Sequence, residues 1–118
     1  SWLGFEAEDL IATIDLGSVE KINFVETRFL QSQVFWIFLP KKMQIEHSID
    51  GENFHLLYEV NPENDYSFEQ KIFKYSIRPL NVESRFIRLR ANNINKCPEY
   101  HPGSGGKSWL FTDEIVIN

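Results

Sequence analysis

Hydrophobic and polar residues alternate along much of the chain. Leu10, Ala12, Ile14 and Leu16 fall on one side of an extended segment, and Thr13 and Asp15 fall on the other. The same period of two runs through Met43, Ile45, His47 and Ile49, set against Lys42, Gln44, Glu46 and Ser48. Successive side chains of a strand point to opposite faces, so both segments read as half-buried strands. Asp50-Gly51 supplies a turn after the second, and Phe54, Leu56, Tyr58 and Val60 resume the alternation, which predicts a hairpin. Further strands are expected over 21–30, 71–78, 85–91 and 110–117. Gly17, the stretch Asn61-Pro62-Glu63-Asn64-Asp65 and Pro79 punctuate them, through φ freedom or a missing N–H. No long window carries the period of a helix. Seven short strands separated by turn residues predict an all-β sandwich or barrel.

Composition narrows the function. A chain of 118 residues suits one domain, spanning 1–118. It can bury roughly two thirds of its unfolded surface, enough for a core without staples. Ten Phe, four Tyr and three Trp exclude a disordered chain. The formal charge of −5 argues against nucleic acid and anionic membranes as partners. Cys97 is the sole cysteine, so no internal disulfide forms and cysteine-based zinc sites are excluded. The longest apolar run, 34–39, is far too short to span a membrane. The chain opens at Ser1-Trp2 without a signal-peptide pattern, which reads as a module of a longer polypeptide.

Catalytic constellations are missing. Glu8-Asp9 and Asp113-Glu114 are paired carboxylates, but neighbours in a strand face opposite ways and cannot flank one glycosidic bond. His47 sits at an apolar-face position and reads as a satisfied core residue, and His55 as solvated. The run 103–108 imitates a phosphate loop, yet its spacing is wrong and a strand follows. An accessory rather than enzymatic role is expected.

One stretch departs from the strand pattern. Residues 92–108 hold two of the five prolines and three of the six glycines, with Tyr100 and His101 inside and Trp109 at the edge. A long connection of this kind in a β scaffold is a functional loop, or one that folds back over the core. Sugar recognition demands aromatic planes for the apolar face of a pyranose and planar polar groups for its hydroxyls. Trp36, Tyr100 and Trp109 are the candidate planes, and Gln31, His101 and Lys107 the candidate polar partners, with Arg28 near a strand end. Gln31-Ser32-Gln33 breaks two apolar runs and could present Phe35 or Trp36 at a loop tip. Alternatively, 34–39 is a strand buried on both faces, with Trp36 in the core.

These segments resemble a known family. Trp2-Leu3-Gly4-Phe5, then Asp9-Leu10 and Ala12-Thr13-Ile14-Asp15-Leu16-Gly17, resembles the opening block of discoidin (coagulation-factor type C) domains. The segment from Ile45 through Ser48-Ile49-Asp50-Gly51 to Phe54 resembles their central hairpin, the one from Arg85 to Ala91 a core strand, and Asp113-Glu114-Ile115 the closing strand. Trp36-Ile37-Phe38-Leu39-Pro40 and Cys97-Pro98-Glu99-Tyr100-His101-Pro102-Gly103 are similar to discoidin modules of Bacteroidetes glycoside hydrolases such as chitobiases. Those modules are grouped with family 32 carbohydrate-binding modules. The resemblance implies an antiparallel jelly-roll β-sandwich of the galactose-binding-domain type. It implies a monomeric, non-catalytic module that brings a linked hydrolase to terminal galactose or N-acetylhexosamine glycans, in the bacterial periplasm, on the cell surface or secreted. A strand that precedes this block in the family is absent here. A structural calcium is also implied, for which Glu114 is the one matching side chain. The alternative is a module that packs against its hydrolase and binds no sugar.

Overall fold

In the computed structural model, which describes residues 2–118, the alternating segments become strands of two packed sheets. The strands are β1 (Leu3–Glu6), β2 (Leu10–Ile22), β3 (Val25–Gln31), β4 (Lys42–Ser48), β5 (His55–Val60), β6 (Lys71–Ile77), β7 (Val82–Asn92), β8 (Trp109–Thr112) and β9 (Val116–Ile117). A single 3-10 turn, Gln33–Phe35, interrupts them. One sheet runs β1-β8-β3-β6 with β9 also on β3, the other β2-β7-β4-β5. Every strand pairing is antiparallel. Side chains from both inner faces fill the core: Leu10, Met43, Ile45, Ile87 and Leu89 from one sheet, Val25, Phe29 and Leu110 from the other. This is the all-β antiparallel sandwich the alternation predicts. No helix among the described residues is long and apolar enough to cross a membrane.

Four expectations need correction. The segment 21–30 is two strands, because the chain leaves one sheet after Ile22 and enters the other at Val25. Asn118 holds that crossing by accepting from the backbone N–H groups of Asn23 and Phe24 at 2.5 and 2.9 Å. The segment 110–117 likewise divides into β8 and β9, and β1 is a strand the alternation did not reveal. In the hairpin, Ile45 pairs with Tyr58 but Glu46 with Leu56, so Leu57 is an extra residue. Such a bulge swaps faces. Leu57, Tyr58 and Val60 pack on the core, while Leu56 is turned out. Phe54 lies instead under the Arg88 guanidinium, 3.7 Å from its centre.

The registers also decide which loops meet. Gln31 pairs with Lys71, Lys42 with Asn92 and Met43 with Val60. Connections 32–41, 61–70 and 93–108 therefore emerge together at one end of the sandwich. The turn 49–54 and the connection 78–81 emerge at the other.

Candidate functional site

The shared end of three loops holds Trp36 and Tyr100, two of the three aromatic planes singled out by sequence, arranged around a polar knot. Gln33 is its centre and is fully buried. Its Nε2 donates to the Asp65 carbonyl at 2.6 Å, its Oε1 accepts from the Tyr100 hydroxyl at 2.7 Å, and its carbonyl accepts from His101 Nε2 at 2.7 Å. A buried amide with both ends occupied pins whatever it touches. Here it ties all three loops.

Asp65 is the second hub. Its carboxylate accepts from Gln31 Nε2 at 2.7 Å, Lys71 Nζ at 2.6 Å and the Ser67 N–H at 2.9 Å. The Lys71 ammonium, then Gln31 and Ser67, hold this carboxyl well below the usual carboxylate range, at about 2. Next to it, Asn64 bonds the backbone of Leu39 in both directions, accepting at 2.7 Å and donating at 3.4 Å. The loop 61–70 is thereby locked to the loop 32–41.

His101 is an internal post. It is 3% exposed, and the Gly103 N–H donates to its Nδ1 at 2.9 Å, which leaves the proton on Nε2 for Gln33. Phe68 stacks on the imidazole at 5.5 Å, and the rings of Phe38, Trp36 and Tyr100 meet its edges at 5.3, 6.0 and 6.5 Å. Both nitrogens are consumed, so His101 supports the site instead of presenting hydrogen bonds to a ligand. Gln31 is equally buried and turned to Asp65.

Trp36 stands at the surface. Ser32 and Ile37 exchange backbone hydrogen bonds at 2.9 and 3.0 Å, closing a turn that throws Val34, Phe35 and Trp36 outward. The segment 34–39 is thus not a strand. Its first half is a loop tip, and Ile37, Phe38 and Leu39 return to the interior. Trp36 takes the left-handed conformation at φ 63°, which costs roughly 1–2 kcal/mol in an L-residue and needs external support. That support comes from its N–H to Gln33 at 3.0 Å and its carbonyl to the Trp109 N–H at 2.8 Å. The indole then lies on the glycines of the third loop. A methyl at Gly103 would sit 2.5 Å from the ring, and one at Gly106 2.6 Å. These two glycines leave room for a flat aromatic against the backbone.

The third loop is rigid for its own reasons. Cys97 bonds through its backbone to Gly106 and Gly105 at 2.8 and 3.1 Å, and turns close at His101 to Pro98 and Ser104 to His101. Its stem is fastened by Asn93, which accepts from the Ser108 hydroxyl at 2.9 Å. The buried Cys97 thiol, pushed up by desolvation, is a packing group. Tyr100, 40% exposed, offers its ring while burial pushes its hydroxyl up. Tyr66 rests edge-on against it at 4.7 Å.

One expected member is turned away from the others. The Trp109 indole faces out of its sheet and meets Phe111 at 5.8 Å, contributing only its backbone near Trp36. Lys107 is exposed and pairs through its backbone with Lys96. Tyr66, Phe68 and Asp65 were not singled out as site residues by sequence, and Gln33 only as part of the polar Gln31-Ser32-Gln33 between apolar runs.

Glu114 is the side chain that the resemblance offers for calcium. Glu114 is exposed, and among the described residues no three His, Cys, Asp or Glu side chains are placed to hold a metal ion. Asp113 is paired with Arg28. A depression of about 230 Å³ at the opposite end, lined by His47, Ile49, Asp50, Asn53 and His55, is a weaker candidate for a ligand. Its carboxylate is already consumed, Asp50 accepting from Ser48, Glu52 and both nitrogens of Asn53.

No protein-family model matches the chain, and no curated protein sequence matches it. Solved structures do. CpGH89CBM32-5 of Clostridium perfringens, in complex with GalNAc-β-1,3-galactose, superposes with a TM-score of 0.57 at 19% identity, covering 99% of this chain and 74% of that one. CpGH89CBM32-4, produced by Clostridium perfringens and in complex with GlcNAc-α-1,4-galactose, gives 0.56 at 16% identity over 92% of this chain and 65% of that one. Chitosan-binding module 1 from a chitosanase/glucanase of Paenibacillus sp. IK-5 gives 0.50 at 13% over 89% and 67%. The chain shares the fold of these modules.

Proposed function

We propose that this chain is a non-catalytic carbohydrate-binding module, that it recognises terminal galactose or N-acetylhexosamine residues, and that it belongs to a longer, exported glycoside hydrolase. The observation that carries the reading is the Trp36 indole, exposed at a loop tip and backed by glycine backbone. A flat, rigid, half-exposed aromatic is what the C–H face of a pyranose requires, and its rigidity lowers the entropy lost on binding. Modules that share this fold are seen in complex with sugars or are chitosan-binding, which supports the same reading. A shallow site on one aromatic platform buries little area, so affinity for a single sugar should fall roughly between millimolar and tens of micromolar. Tethering then raises the concentration of the glycan seen by the linked enzyme.

The test is an NMR titration with galactose, N-acetylglucosamine and N-acetylgalactosamine. Saturable shifts at Trp36 and Tyr100 are expected, and Trp36→Ala should weaken binding at least about tenfold with the fold intact. A folded protein that shows no shift with any of the three would overturn the reading. It would favour the alternative, an interdomain contact, for which the outward Val34 and Phe35 at 59% and 68% exposure are the motivating surface.

A further inference from the structure

Four rings follow one another across the loop end: Trp36 to His101 at 6.0 Å, His101 to Tyr100 at 6.5 Å, and Tyr100 to Tyr66 at 4.7 Å. Their exposure differs, with Trp36 and Tyr100 about equal at 39% and 40%. His101 is buried, and the Tyr100 hydroxyl is spent on Gln33 and, at 3.4 Å, on the Asp65 carbonyl. Tyr66 is 77% exposed, the highest value among the large hydrophobic side chains turned outward. An aromatic this bare on a mobile loop would be unremarkable, but this loop is anchored on both sides of it. Asn64 and Asp65 fasten the preceding residues to Leu39, Gln31 and Lys71, and Phe68 stacks on His101 two residues later. Its ring is braced edge-on by Tyr100. Tyr66 is therefore a held surface with a free face, separated from Trp36 by two intervening rings.

A pyranose is about as wide as one aromatic ring, so a single sugar on Trp36 leaves Tyr66 uncovered. We infer that Tyr66 is a second stacking surface and that the occupant of this end is an oligosaccharide of two or more linked pyranoses. The inference rests on the carbohydrate-binding reading above.

Tyr66→Ala and Tyr66→Phe would be compared with the unaltered domain by calorimetry or NMR. The probes are galactose and N-acetylgalactosamine as single sugars, and GalNAc-β-1,3-galactose and GlcNAc-α-1,4-galactose as linked pairs. Tyr66→Ala should weaken binding of at least one linked pair about three- to tenfold and leave the single sugars unchanged, while Tyr66→Phe keeps full affinity. An exposed ring contributes little to the core, so the thermal midpoint should hold in both variants. Pairs that bind no tighter than single sugars, or a Tyr66→Ala loss equal for both, would overturn the inference and leave the sugar reading standing. Binding of none of the four would remove both.

Discussion

Gly103→Ala isolates the contact on which the Trp36 platform rests. The added methyl would lie 2.5 Å from Cζ2 and 2.6 Å from Cε2 of the indole. Carbon atoms settle near 3.5–4 Å, so the ring must retreat by about 1 Å or tilt. Outward lies solvent, so the ring can move; its backbone cannot, being clamped by Gln33 and Trp109. Overpacking of this kind costs roughly 1–3 kcal/mol. Gly→Ala at an ordinary backbone conformation returns about 0.4–1 kcal/mol through the unfolded chain. Net destabilisation should therefore be small, from about zero to 2.5 kcal/mol. The effect on recognition should be larger in proportion, since a displaced ring loses much of a stacking contribution of about 0.5–1.5 kcal/mol, or about two- to twelvefold in affinity. Gly105→Ala is the internal control. Gly105 has φ +80° and nothing within 4 Å of an added methyl, so it should lose about 1–2 kcal/mol to backbone strain without touching Trp36. The assay pairs the Trp36 indole N–H resonance and sugar titration with denaturant unfolding. An unmoved resonance and unchanged affinity in Gly103→Ala, or equal shifts in Gly105→Ala, would refute the seat on glycine.

Two further outcomes concern the scaffold. His47 is held below its ordinary value by burial and by His55 beside it, ring centres 5.7 Å apart. Its folded form disfavours the proton, so its contribution is full above the unfolded value of 6.5 and is lost as pH falls below it. The thermal midpoint should therefore drop between pH 7.5 and 5. His55→Ala should shrink that drop, and an equal drop in the variant would refute the pairing. Glu46 accepts from Arg88 and Arg90 at 2.9 and 2.8 Å with its side chain 16% exposed, and Arg88 chiefly keeps its carboxyl ionised. Glu46→Ala should cost about 1–3 kcal/mol in urea unfolding, because two partly buried guanidinium groups lose their acceptor. An unchanged midpoint would refute it.

Much of the sandwich was legible because strand alternation is local. Leu10 to Leu16, and Met43 with Ile45, record in adjacent residues which side meets the core. The bulge at Leu57 was not legible, since nothing in Phe54 to Val60 shows that the partner strand skips a residue. The crossing at Asn23-Phe24 was hidden for a similar reason: both sides are apolar, and only sheet membership separates them.

The site divides in the same way. By itself, the order of residues marked the stretch 92–108 as special and offered Trp36, Tyr100 and Trp109 as candidate planes. Tertiary structure alone decided which of the neighbours are surface and which are support. His101 and Gln31 look like ideal polar contacts in sequence, yet three loops distant in the chain converge to bury both, spending the two His101 nitrogens and the Gln31 amide nitrogen internally. Tyr66 and Asp65 lie in a stretch that reads as a plain turn, and they gain meaning only where Gln33 and Tyr100 meet them. Burial and hydrogen-bond partnership belong to pairs of residues far apart in sequence, and such pairs exist only once the sheets have fixed which loops share an end.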